Sequence, residues 1–229
     1  IKELVHGKAE RAFAKYAEKG KLRGGNDGED AMRLLLSSWS EEGIRKPESN
    51  LILGSENTKV EELNREAQKR RLISGELGAT SVMHKGAEFF TRDRILFTRN
   101  SKNIGVKNGS LGTVIEVQKK FGRLCVELDS GGVIRVKPQS YPHIKLGYAV
   151  TTHKAQGLTT ENVFVSLGGG LQDRELSYVQ ASRARGDTHF FISKEEAGEN
   201  LRRIAFLASE SHMKKLAIQV REAKLKGVV

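Results

Sequence analysis

The chain has 229 residues with 39 Lys/Arg against 28 Asp/Glu, a formal charge of +11 and a single cysteine. That length holds one large domain or a medium domain with an insert, and the apolar content is globular once 24 glycines join the 38% of larger apolar residues. One cysteine excludes an internal disulfide and a Cys-based zinc cage. No apolar run approaches a membrane span and no segment resembles a signal peptide, so a soluble cytoplasmic protein with no metal site of its own is expected.

In chain order, residues 1–49 read as a helical lead-in. Val5, Ala9, Phe13 and Tyr16 form one stripe and Met32, Leu35, Leu36 and Trp39 another, with Gly20 and Gly24-Gly25 as punctuation between two helices. Residues 50–85 open an α/β layer. Asn50 to Gly54 is a short buried-strand signal, and Thr58 with Glu61 has the spacing of a capping box opening a helix through about Arg71. Over residues 86–139 period-two runs replace that grammar, at Arg94 to Thr98, Gly112 to Val117, Leu124 to Leu128 and Val133 to Val136. Turns at Asn108-Gly109 and Asp129 to Gly132 separate them, which predicts a small antiparallel β-barrel insert. Cys125 falls in the third run as a small apolar residue. Residues 140–193 resume the α/β layer, with strands at Asn162 to Leu167 and Thr188 to Ile192 around a helix from about Asp173 to Arg185. Residues 194–229 read as closing helices. The expected fold is α/β with a mainly parallel sheet, interrupted by the antiparallel insert.

Residues 101–150 hold eight Lys/Arg against three Asp/Glu, and residues 201–229 hold seven against two. Such an excess suits a polyanion, although charge alone equally describes a solvated surface.

Two strings are specific. Gly147 to Thr159 reads GYAVTTHKAQGLT and precedes the apolar strand Asn162 to Ser166. A strand, a polar turn with hydroxyls, a helical turn and a glycine aim backbone N–H groups and polar side chains at an anion. Leu176 to Arg185 reads LSYVQASRAR and places arginines at a helix end just before a strand, suited to charge on a transferring phosphoryl group.

Together these strings resemble motifs V and VI of superfamily 1 helicases, in the variant of RecD-like enzymes and of conjugative relaxase-helicases of the TraA/MobA type. The resemblance reaches back to Phe97 to Asn100 with Gly105 to Val114, similar to the small-barrel insert of those proteins, and to Leu53 to Asn64, similar to motif IV and its helix. It covers roughly residues 50 to 195 in the expected order. It implies the second RecA-like motor lobe of an ATP-dependent translocase on single-stranded DNA, working with ATP and magnesium.

By position, the resemblance assigns Gln156 and Gly157 to nucleotide phosphates and makes Arg183 an arginine finger on the γ-phosphate. Thr151, Thr152 and His153 become contacts to DNA phosphates. Arg185 has two readings, nucleotide contact or a salt bridge with Asp187 or Asp173. Arg183 in isolation would be a surface arginine, or would close a salt bridge with Asp187. Asn57 and Thr58 could hold a DNA phosphate on free N–H groups or serve only as a helix cap. Tyr141, Tyr148, Phe89 and Phe90 could stack on bases, with at least two expected in the core. Gly168-Gly169-Gly170 is followed by no Gly-Lys-Ser/Thr and reads as a flexible loop.

The sequence contains no G-x-x-x-x-G-K-[ST] and no apolar strand ending in paired carboxylates. The P-loop and magnesium ligands are therefore expected on a separate first lobe of a larger protein, with a relaxase domain of the same protein as a further partner, and this piece is expected to be inactive alone. Two alternatives stand beside the motor: a catalytically inactive DNA-binding module, and a repair helicase of the RecD kind.

Overall fold

The computed structural model describes residues 1–170 and 172–211. Its first half contains α1 (Lys2–Val5), α2 (Ala9–Glu18), β1 (Leu22–Gly25), α3 (Gly28–Gly43), β2 (Asn50–Gly54), α4 (Asn57–Ile73), β3 (Ser81–His84), β4 (Ala87–Phe90) and β5 (Arg94–Phe97). Then follow β6 (Leu111–Gln118), β7 (Arg123–Leu128), β8 (Val133–Val136), β9 (Ile144–Leu146), β10 (Ala149–Thr151), β11 (Asn162–Ser166), α5 (Arg174–Ala181), β12 (Thr188–Ser193), α6 (Lys194–Ala197) and α7 (Arg202–Leu207).

Five strands pair in parallel in the order β1-β12-β11-β2-β10. Both faces of this sheet are covered, as a parallel sheet requires. The period-two alternation divides the strands between two cores: Ile52, Ala149, Phe164 and Phe191 pack with α3 and α4, and Leu53, Val150, Val165 and Phe190 with α2, α5 and α7.

Leu22–Gly25 corrects the expected turn between helices, because it is an edge strand paired with β12. Four residues including two glycines carry no strand signal of their own. Gly25 is required by packing, since a Cβ there would meet the Ala31 nitrogen at 2.3 Å. The first stripe also shifts: Gly7 at φ +68° separates α1 from α2, leaving Val5 exposed and Leu4 buried. The capping box is not formed either. The N-cap of α4 is Glu56, with no side-chain cap, and Thr58 lies inside the first turn.

The insert contains the hairpin β3–β4 and a five-stranded antiparallel sheet ordered β8-β7-β6-β5-β9. No ladder joins β8 to β9, so among the described residues this sheet is open where a closed barrel was expected. The edge strands have only four and three residues, too short to wrap around and meet. Arg94 locks the sheet internally: its guanidinium donates to both Asp129 oxygens at 2.7 and 2.5 Å and to Thr113 Oγ1 at 2.8 Å.

A buried polar cluster joins the insert to α4 and the end of β9. The Tyr148 hydroxyl donates to Asp93 Oδ1, and Gln68 Nε2 donates to Oδ2 at 2.7 Å. Arg71 donates to Tyr148 Oη at 3.1 Å, to Ile44 O at 2.8 Å and to Arg92 O at 2.5 Å. Asn64 Oδ1 accepts from the Tyr148 and Ala149 N–H groups, both at 2.9 Å. Burial, outweighing these hydrogen bonds and the Arg71 charge, pushes the Asp93 carboxyl up to about 6 and raises the Tyr148 phenol.

The far end of the expected closing helices, with five of the seven C-terminal cations, falls on residues 212–229 and lies outside the described residues. No helix among the described residues is long and apolar enough to cross a membrane.

Candidate functional site

The carboxyl ends of the five parallel strands lie on one edge of the sheet, where open α/β sheets present ligand sites. From β10 the chain leaves through Thr152 and makes a helical turn, in which Ala155 N–H donates to Thr151 O at 3.1 Å and Leu158 N–H to Ala155 O at 3.0 Å. Gly157 ends this turn at φ +84° with open space around it, a backbone state that L side chains rarely adopt. The connection then runs down to Thr160, which bridges Ala184 in parallel beside the start of β12.

The two threonines turn inward. Thr152 is 1% exposed, and its Oγ1 donates to Gly54 O at 3.2 Å while accepting from Gln180 Nε2 at 3.1 Å. Gln180 Oε1 accepts from Gln172 Nε2 at 3.3 Å, and that same amide donates to Ser177 Oγ at 2.5 Å. Thr151 is buried too, its Oγ1 accepting from Lys154 N–H at 3.4 Å. His153, by contrast, is exposed, as are Gln156 and Gly157. Sequence reasoning missed Gln172, Ser177 and Gln180. The available signal was two polar residues, Ser177 and Gln180, on the same helical stripe as Leu176 and Ala181.

Thr152, His153 and Gln156 form one wall of a cleft of about 250 Å³, and Asp173, Leu176 and Val179 on α5 form the other. Asp173 caps α5 by accepting from Leu176 N–H at 2.7 Å. The helix ends at Ala181, so Arg183 and Arg185 stand beyond it, shorter than the expected span through Arg185. Arg183 is half-buried one turn past Val179 and donates to Val179 O at 3.2 Å, Leu158 O at 3.2 Å and Ser182 Oγ at 3.0 Å. Three of its five N–H groups are thereby placed, and two have no acceptor among the described residues.

The salt bridges weighed for the two arginines do not involve Asp187, whose carboxylate pairs with Lys21; that contact holds it below its ordinary range. Arg185 opens instead into a separate cleft of about 330 Å³ with Lys15, Lys19 and Lys21. Asn57 and Thr58 are exposed at the uncapped start of α4, three residues past the Gly54 carbonyl that holds Thr152. Of the aromatic residues, Tyr148 and Phe89 are core and Tyr141 is tied to Arg99 O, leaving Phe90 half-buried. The Gly168 to Gly170 loop packs on the end of β2: Ser55 Oγ donates to Gly168 O at 2.7 Å, and a Cβ on Gly169 would meet that hydroxyl at 2.6 Å. The described residues contain no group of three potential metal ligands.

No family model matches the chain. Over 193 residues it is 30% identical to the conjugal transfer protein TraA of Agrobacterium fabrum, covering 82% of this chain and 17% of the relative. Over 96 residues it is 33% identical to the ATP-dependent RecD2 DNA helicase of Deinococcus radiodurans, covering 41% of this chain and 13% of that one. A Pif1 helicase from Bacteroides, in complex with ADP-AlF3 and single-stranded DNA, aligns with 86% of this chain and 54% of its own at TM-score 0.49 and 15% identity. The chain thus spans about one sixth of the length of the TraA relatives it matches.

Proposed function

Because the chain is homologous to the TraA conjugal transfer proteins and to the RecD2 DNA helicase, we propose that it is the second, RecA-like motor lobe of a superfamily 1 single-stranded-DNA translocase. Its parent is a conjugative relaxase acting on plasmid DNA in the cytoplasm. In this reading the parallel sheet with the helices packed on it is the lobe, and β3 to β9 are the insert, which reaches beyond the expected 86–139 at both ends. The reading rests above all on one observation: His153 and Gln156 face α5 across a cleft of about 250 Å³, and just past the end of that helix stands a half-buried arginine with two uncommitted donors.

The donor set fits the edge of a polyphosphate. Gln156 and Gly157 offer an exposed amide and an open backbone, and Arg183 a planar cation fixed on three protein acceptors, so little ordering remains when it meets an anion. Bound ATP with magnesium would supply the phosphoryl chemistry, held mainly by the P-loop of the first lobe; Arg185, which opens into the separate cleft, is the weaker candidate for nucleotide contact. His153, with the free N–H groups at Asn57 and Thr58, would meet DNA phosphates. Thr151 and Thr152, being buried, would act by holding that turn in place. By itself the chain carries only the transition-state side of the site, so it should not hydrolyse ATP.

Arg183→Ala in the full-length parent tests this. DNA-stimulated ATP turnover should fall by about 10³- to 10⁵-fold with DNA binding retained, and Arg183→Lys should rescue poorly because it lacks the planar fork. Turnover per folded molecule near that of the parent, with a lowered Tm, would remove Arg183 from the site.

A further inference from the structure

The hairpin joining β6 to β7 carries at its tip a feature that the parallel sheet does not use. Lys119 to Phe121 make one 3-10 turn, Gly122 closes it at φ +57°, and Arg123 begins β7. The turn needs the glycine, against which Gln139 packs, but nothing in its geometry calls for an aromatic residue. Phe121 is nevertheless 55% exposed, with Lys120 Nζ 6.0 Å and the Arg123 guanidinium 5.7 Å from its ring centroid. Lys119 is exposed on the same turn, and exposed Lys137 follows β8, whose Val136 pairs with Leu124. No ion pair among the described residues engages any of these four cations.

An apolar protein partner would call for a contiguous apolar patch, which one ring does not make. A single ring among four cations matches the pairing used on single strands: the base stacks on the ring and its phosphates meet the charges. The tip is also set apart from the motif V turn. The loop before β6 lies against that turn, a Cβ on Gly109 coming 3.8 Å from Lys154 O. The eight residues of β6 then carry the chain about 26 Å away at some 3.3 Å per residue.

We propose that the β6–β7 tip is a second contact for single-stranded nucleic acid, in which Phe121 stacks on a base while Lys119, Lys120, Arg123 and Lys137 meet the flanking phosphates. This rests on the reading of the chain as a single-strand binder and adds a site remote from the sheet edge.

Fluorescence anisotropy of the full chain with labelled oligo-dT, and with an abasic strand of equal length, tests it. Phe121→Ala should weaken oligo-dT binding about 5- to 100-fold and abasic binding less, because stacking requires a base. Phe121→Trp should bind like the parent and show quenched indole emission on oligo-dT. Lys119→Gln with Lys120→Gln should weaken both probes and flatten the salt dependence. If Phe121→Ala stays within about twofold of the parent on oligo-dT while His153→Ala weakens binding, the hairpin contact is overturned and the sheet-edge reading survives. If the parent binds neither probe at low salt, both fail. Phe121-dependent binding to phosphatidylserine vesicles without oligo-dT binding would reassign the tip to a membrane surface.

Discussion

Two polar clusters lie buried on opposite faces of the parallel sheet, and they are built from different chemistry. On the α5 face, Thr152, Gln172, Ser177 and Gln180 form a neutral network of hydroxyls and amides. On the α4 face, Asp93, Tyr148, Arg71, Gln68 and Asn64 surround a carboxyl and a guanidinium that have both left water. The neutral network stands directly behind exposed His153 and Gln156, whereas the charged one is sealed between the lobe and its insert. Amides fix a turn without a large desolvation penalty, so the residues they support can remain open to a ligand. Buried charges are costlier and direction-specific, and here they set how a separate sheet is joined to the parallel-sheet layer.

Breaking the charged cluster should produce the larger stability change. Arg71→Met leaves Asp93 and Tyr148 without their cation and should cost about 3–5 kcal/mol in urea unfolding, the usual result of removing one buried charge from a set. A loss under about 1 kcal/mol would mean that the insert is held by apolar packing alone.

The charged cluster should also respond to pH. Asp93 titrates near 6 in the folded protein against an ordinary 3.8, chiefly because burial disfavours its charged form. The folded state therefore binds this proton more tightly than the unfolded chain. Its contribution is fully present below about pH 4, is lost as pH rises to about 6, and stays constant above; the drop is on the order of 2–3 kcal/mol. Asp93→Asn should flatten that slope in unfolding curves collected across the window. A slope that survives the substitution belongs to another group.

The neutral cluster should yield the smallest effect and none of that pH dependence. Gln180→Leu deprives Thr152 of its donor and Gln172 of an acceptor, for a loss of about 1–3 kcal/mol at every pH from 4 to 8. A loss that varied across this range would show that the network is coupled to a titrating group.

Strand β2 and the period-two runs of the insert were legible because their apolar spacing is a local property of the chain. The motif V turn was legible for a related reason: a glycine with positive φ after a helical turn leaves its mark in sequence. Strand β1 was not, since Leu22 to Gly25 becomes a strand only by pairing with β12, 168 residues later. Nor did the spacing show that the hydroxyl of Thr152 faces inward, because that depends on Gly54 and Gln180 arriving from other elements.

By itself, then, the sequence determined the alternation of element types, the order of the motif strings and the basic character of the chain, all of which depend on neighbours a few residues apart. Tertiary structure alone decided which motif residues stayed in water and which supported them from behind. It also decided where Asp93 and Arg71 would meet and that Phe121 would lie open to solvent. Burial depends on what a side chain finally packs against, and those contacts are made by segments that have no common spacing along the chain.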